Sequence, residues 1–254
     1  MSKTAGIQVN YDIKRDVWYS PTEVLQRYEQ LRDMFGENLN NPIFKTAHEM
    51  FGSAVGILGS LVLSPDNKYF LQVNKQSTSP DIMAVKQVER VGAPIQALLT
   101  QLELVTLHDF DPQTDVVEFL KEKKLYPVKD YDENVTILCI INKAIRVDRV
   151  DIAKRLAAIT PAIRPTIYVT GRVGADENDE FSIFTPYPRP TRIFLYKIAD
   201  VTAAVSLPRK IRFHFDIAHK IEYSKGTKEK TDIYEMFGLE KDKGRILKKF
   251  SVKL

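Results

Sequence analysis

The run Val135-Thr136-Ile137-Leu138-Cys139-Ile140-Ile141 constrains this chain more than any other stretch. Successive side chains of a strand point to opposite faces, so a run that is apolar almost throughout belongs to a central strand covered on both sides. An α/β fold with helices against a mixed sheet follows. The chain has 254 residues, 44% hydrophobic and 28% charged, which suits one elaborated domain over residues 1–254 and argues against disorder away from the ends.

The same run holds Cys139, the one cysteine. Neither a disulfide framework nor a cysteine-based zinc site can be built from it, and a reducing compartment is expected. The opening Met1-Ser2-Lys3-Thr4 lacks the apolar core of a signal peptide. The longest apolar stretch, 50–62, falls short of the ~20 residues a bilayer span needs and is interrupted by Gly and Ser. These features predict a cytoplasmic protein without a membrane partner.

Lys and Arg number 37 against 33 Asp and Glu, a net charge of +4 that permits a polyanionic partner without demanding one. The cations crowd the last quarter, from Arg209, Lys210 and Arg212 to Lys248, Lys249 and Lys253. They are interleaved there with Glu222, Glu229, Asp232 and Glu240, so a phosphate-binding region and an ordinary solvated surface both fit.

Along the chain, Ser20-Pro21-Thr22-Glu23 reads as a helix start, with Ser20 as cap, Pro21 in the first turn and Glu23 placed for a capping box. Val24, Leu25, Tyr28, Leu31 and Phe35 follow at helical spacing, giving an N-terminal helix over 20–36. A second helix is predicted from Asn41-Pro42 to about Leu63. It carries a stripe of small residues, Ser53, Gly56 and Ser60 with Gly52 and Gly59 alongside, on which Glu49 is the one acid. Such a stripe admits the close approach of a helix, a strand or a phosphate chain.

Three strands follow, over 69–73, 81–88 and 98–107, then a helix from Val116 whose carboxyl end is the basic turn Lys121, Lys123, Lys124. After the central strand come a helix near 150–159 and a strand over 166–173. A β-rich extension and basic tail occupy 174–254, with strands near 181–185, 193–198 and 211–215 and a helical tail within 231–249.

Two acids stand on neighbouring strands of this order, Asp81 after the Ser79-Pro80 turn and Glu103 in the third strand, with Glu49 on the preceding helix. This arrangement resembles the PD-(D/E)XK nuclease superfamily over roughly 41–142. That family shares a restriction-endonuclease-like core of helix, three strands, helix, strand. It places an aspartate, often after proline, on the second strand, and Glu or Asp, any residue, then Lys on the third. Pro80-Asp81 supplies the first half and Glu103-Leu104-Val105 the second, with Val105 where the lysine belongs. Lys86 or Lys75 are the nearest substitutes in sequence, although strand alternation sets Lys86 on the face opposite Asp81.

The resemblance implies a Mg²⁺ or Mn²⁺ site with Asp81, Glu103 and Glu49 as ligands and Gln101, on the Glu103 face of its strand, positioning water. Two carboxylates suit Mg²⁺, which keeps its other positions for water and phosphate and activates a bound water. It further implies a DNA endonuclease, in a bacterial restriction or antiviral defence setting, working with a sensor or helicase/ATPase partner. The alternative is a protein that keeps the fold without the chemistry and binds nucleic acid or protein. His48-Glu49 lacks the second histidine of a zincin helix, because Gly52 stands there, and no phosphate loop or nucleophile elbow occurs.

Overall fold

The structure, a computed structural model, describes residues 17–35, 45–73, 81–88, 96–125, 135–159, 165–174, 179–214, 220–223 and 233–237. Its strands are β1 (Val17–Tyr19), β2 (Phe70–Val73), β3 (Ile82–Val88), β4 (Gln96–His108), β5 (Val135–Asn142), β6 (Thr166–Arg172), β7 (Glu180–Tyr187), β8 (Phe194–Lys197), β9 (Lys210–His214) and β10 (Lys220–Tyr223). They form one mixed sheet in the order β10-β9-β1-β2-β3-β4-β5-β6-β7-β8. Only β4, β5 and β6 run parallel to one another. The apolar run at 135–141 therefore sits mid-sheet, flanked by parallel neighbours on both sides.

Alternation along β5 divides the core. Leu138 joins Leu71, Ile82, Ala84 and Leu102 beneath α1 (Pro21–Phe35) and α2 (Lys45–Leu63). Ile137 and Cys139 instead join Val105, Leu107 and Ile167 beneath α3 (Val116–Leu120) and α4 (Arg149–Ile159). A third cluster, Trp18, Phe70, Met83, Val85, Ile211 and Phe213, lies under the β9-β1-β2-β3 part of the sheet. From residue 45 onward the order is α2, three strands, α3, strand, as the sequence pattern predicts.

The small-residue stripe of α2 meets strands, and it meets them closely. A Cβ on Gly52 would lie 2.8 Å from Ile140 Cδ1 and 2.9 Å from Leu104 Cδ2, and one on Gly56 would lie 3.0 Å from Leu138 Cδ1. Thr46–Leu63 is long and apolar enough to cross a bilayer by composition, yet 67% of it is buried within the protein. Its hydrophobicity is explained by sheet packing on one side and α1 on another.

Several elements depart from the sequence pattern. Ser20 Oγ accepts from Glu23 N at 3.2 Å, but the reciprocal half of the capping box does not form, because Ser20 N donates to Arg209 O. The Glu23 carboxylate turns instead to Arg27 Nε at 2.9 Å and lies 3.7 Å from Arg209 Nε. The three-residue β1 and four-residue β10 are too short to show a strand period. The C-terminal β structure also divides, with β7 and β8 on one edge while β9 and β10 join the other through β1. A helix at Ile198–Ala204 (α5) follows β8 directly, and the last described helix, α6 (Ile233–Met236), is a single turn of the tail predicted over 231–249. The expected helix start at Asn41-Pro42 and the turn Gly92-Ala93-Pro94 lie outside the described residues.

Candidate functional site

β3 and β4 pair antiparallel with Ile82 opposite Leu102, so one step further along the register Asp81 comes beside Glu103. The backbone locks this placement, since Leu104 N donates to Asp81 Oδ2 at 2.9 Å. Glu103 is only 2% exposed and points to the α3 face, away from its α2-facing neighbours Leu102 and Leu104. A carboxylate so deeply buried needs a cation or strong donors.

Lys124 supplies the cation. Its Nζ lies 2.6 Å from Glu103 Oε2 and 3.3 Å from Asp81 Oδ2, and its side chain is 13% exposed. Burial alone would push its ammonium down, but the charge of Asp81 and the hydrogen bond to Glu103 outweigh burial and hold it above the ordinary lysine value. The lysine is therefore charged at neutral pH, bridging two carboxylates.

The local reason lies in the helix end. Asp115 caps α3, accepting from Val117 N and Glu118 N at 2.9 Å each, and Arg155 of α4 grips Asp115 and Glu118 at 2.6 and 2.9 Å. Beyond Leu120 the chain widens into a π-turn, Lys121–Leu125. With i→i+5 bonding, Leu125 returns to the azimuth of Leu120 and enters the core, 5% exposed, and Lys124 beside it faces the sheet as well. In a continuous α-helix, Leu125 would swing away from that face. π-turns of this kind are frequent at functional sites.

The expected third-strand position is closed to a lysine. Val105 is 9% exposed and packed with Leu107, Val116 and Ile137 under α3 and α4, on the strand face of a Glu103 that Lys124 already holds. Lys86 sits with its Nζ 5.0 Å from the Tyr69 ring centroid, and Lys75 lies outside the described residues. The sequence treats Lys124 as one of three solvated charges at a helix end, and only the wide turn distinguishes it.

Gln101, half-buried, lies opposite Met83 and two residues before Glu103 on the same strand face. Glu49 is half-buried on α2, which packs against Leu104 and Ile140 on the other face of the sheet. Among the described residues no three His, Cys, Asp or Glu side chains are grouped to hold a metal. The structure thus brings Asp81 and Glu103 together around Lys124 and does not group Glu49 with them. An ion here would rest on two carboxylates and complete its shell with water or phosphate, a set that suits Mg²⁺.

The chain matches no protein-family model, no curated protein and no solved structure. The site is therefore read from its own geometry and chemistry.

Proposed function

We propose that the protein is a metal-dependent phosphodiesterase acting on DNA, built on a restriction-endonuclease-like core of the PD-(D/E)XK type. The observation that carries this reading is Lys124, whose ammonium contacts both Asp81 and Glu103 and takes the role left open by Val105. The order of elements from α2 to β5 and the Pro80-Asp81 pair in the sequence support it.

In this reading Asp81 and Glu103 would hold Mg²⁺ or Mn²⁺ through hard oxygens, and the chemistry the ion would supply is acidification of a bound water and neutralisation of phosphate charge. Leu104 N holds the Asp81 carboxylate in orientation. Lys124, its ammonium beside both carboxylates, would donate to a water or to a phosphate oxygen at the site. Gln101, on the Glu103 face of β4, is the candidate water-positioning group, whereas Glu49 on the α2 side is not placed to serve as a ligand. A restriction or antiviral defence setting, with a sensor or helicase/ATPase partner, rests on the family resemblance alone.

One observation favours a second reading. With Lys124 bridging the pair and Leu104 N bonded to Asp81, the carboxylates are satisfied without any ion, as in a protein that keeps the fold and binds nucleic acid or protein without cutting. Plasmid and linear DNA incubated with Mg²⁺ or Mn²⁺ separate the two. Cleavage by the wild type that disappears in an Asp81→Ala, Glu103→Ala variant supports the enzyme. Equal traces from both proteins would end that reading.

A further inference from the structure

Strand β8 (Phe194–Lys197) ends the sheet on the side away from β10 and, among the described residues, pairs only with β7. Tyr196 turns to the α2 face, where its Oη donates to Val55 O at 3.2 Å. Alternation therefore sets Leu195 and Ile193 on the α4 face, where Phe184 of β7 is sealed in with Ile152 and Leu156. That cover stops short of the edge, since Leu195 is 55% and Ile193 39% exposed. The strand is nevertheless held firmly at its entry. Thr191 N donates to Thr185 O and Thr185 N donates to Thr191 Oγ1, both at 2.9 Å, and Arg149 donates to Thr191 O at 3.3 Å.

We propose that the β8 edge docks an extended acidic segment of a partner protein as an added strand, with apolar residues at its centre and Asp or Glu at both ends. An edge strand presents a row of main-chain donors and acceptors that another extended chain can pair one for one. Leu195 and Ile193 give the alternate side chains of that chain an apolar surface to cover. Cations bracket the pair, with exposed Arg192 at one end and exposed Lys197 at the other, roughly 17 Å apart at the usual strand rise. Neither takes part in an ion pair among the described residues, although Glu180 stands opposite Lys197 in the register. Arg192 instead lies over the Phe194 ring, 4.7 Å from its centroid.

Charge sets this occupant apart from a second copy of the chain. Two β8 strands paired antiparallel about a two-fold axis would bring Arg192 of each close to Lys197 of the other, like charges at both ends. A nucleic acid would use the cations but leave the main-chain edge unpaired, and the exposed pair Ile193 and Leu195 is aliphatic, with no flat face for a base. Thr191 and Tyr196 fix the strand before anything binds, so little ordering cost remains on this side of the interface. The edge lies across β5 from Asp81 and Glu103, and docking there holds whether or not those acids cut DNA.

Fluorescence anisotropy of a labelled peptide, DEVTVTVED, titrated with the full chain tests the proposal. The wild type should bind it, and should bind about tenfold more weakly the peptide DEVTPTVED, whose central proline removes a main-chain donor. Leu195→Asp should also lose about tenfold, because it places a charge on the apolar surface. An Arg192→Glu, Lys197→Glu variant should lose the acidic peptide and gain KRVTVTVKR, and that gain shows that the edge is still folded. A wild type that binds no acidic peptide, equal affinity for the proline peptide, or a charge-reversed variant that gains nothing overturns the proposal. Displacement of the peptide by oligothymidylate of equal charge at equal concentration overturns it in favour of a polyanion surface. A wild-type dimer in size-exclusion chromatography that Leu195→Asp dissolves gives the edge to a second copy.

Discussion

Lys124 of the π-turn donates to Glu103 Oε2 at 2.6 Å, and each side chain shields the other from water. Their exposures, 13% and 3%, put this pair in a different energetic class from the ion pairs on the surface. Exposed pairs contribute about 0–1 kcal/mol, whereas removing one member of a buried pair leaves an uncompensated charge.

Lys124→Met should accordingly destabilise the protein by about 3 kcal/mol, measured by urea denaturation. Mg²⁺ should recover part of that loss if the two carboxylates bind it, because an ion that binds only the folded state raises its stability. The Mg²⁺-dependent rise in melting temperature should be larger in Lys124→Met than in the wild type. No rise in either protein argues against a metal site at these acids.

Val105→Lys, which writes the third-strand motif back into the sequence, should cost stability without adding activity. Position 105 packs with apolar side chains under α3 and α4 and shares its strand face with Glu103, whose carboxylate already holds Lys124, so the new ammonium enters a buried site where the neighbouring acid is taken. A loss of about 2–4 kcal/mol is expected in chemical denaturation. A stable variant with faster cleavage would show that Lys124 is not the relevant cation.

Two glycines should behave oppositely. A Cβ on Gly171 would stand 2.8 Å from Ile141 O, a backbone atom of the paired strand β5 that cannot rotate aside. Gly171→Ala should lose about 2 kcal/mol. On Gly56 the nearest obstacle is the tip of Leu138, and helix propensity returns about 1 kcal/mol for Ala over Gly, so Gly56→Ala should be nearly neutral. Urea midpoints of the two variants compare them directly.

Acid should weaken the junction of α1, α2 and β4. His48 of α2 contacts Tyr28 Oη through Nε2 at 3.1 Å, and burial, then the charge of nearby His108, holds its pKa below the usual histidine value. The unfolded chain then binds a proton that the folded one refuses, so the contribution is full above about pH 6.5 and is lost as pH falls through the lowered folded value. Melting temperatures across pH 7.5 to 5 should fall, and His48→Gln should flatten the slope. Equal slopes in the two proteins would assign the acid sensitivity elsewhere.

Much of this architecture is legible in residues with strong local signals. Ser20-Pro21 marks the α1 start, the apolar run of β5 marks the sheet centre, and Pro80-Asp81 with Glu103 marks two acids that the antiparallel register does bring together. Lys124 is not legible, because a basic turn at a helix end satisfies the helix dipole whether or not its last lysine faces inward. The inward turn depends on Leu125 reaching the core through i→i+5 bonding, a choice made by packing rather than propensity. The placement of β9 beside β1 is equally hidden, since pairing between distant segments leaves no periodic mark in either one.

That placement governs the order in which the molecule can be completed. Trp18 is registered against Ile211 and sealed in a cluster that also draws on Phe213. A nascent chain can assemble the parallel centre from β4 to β6 while still on the ribosome, but β1 lacks its β9 neighbour until the late segment is synthesised. Closure across so long a separation is slow rather than costly at equilibrium. Trp18 emission should therefore complete its shift only once β9 is in place, because Ile211 and Phe213 close the last part of its cluster.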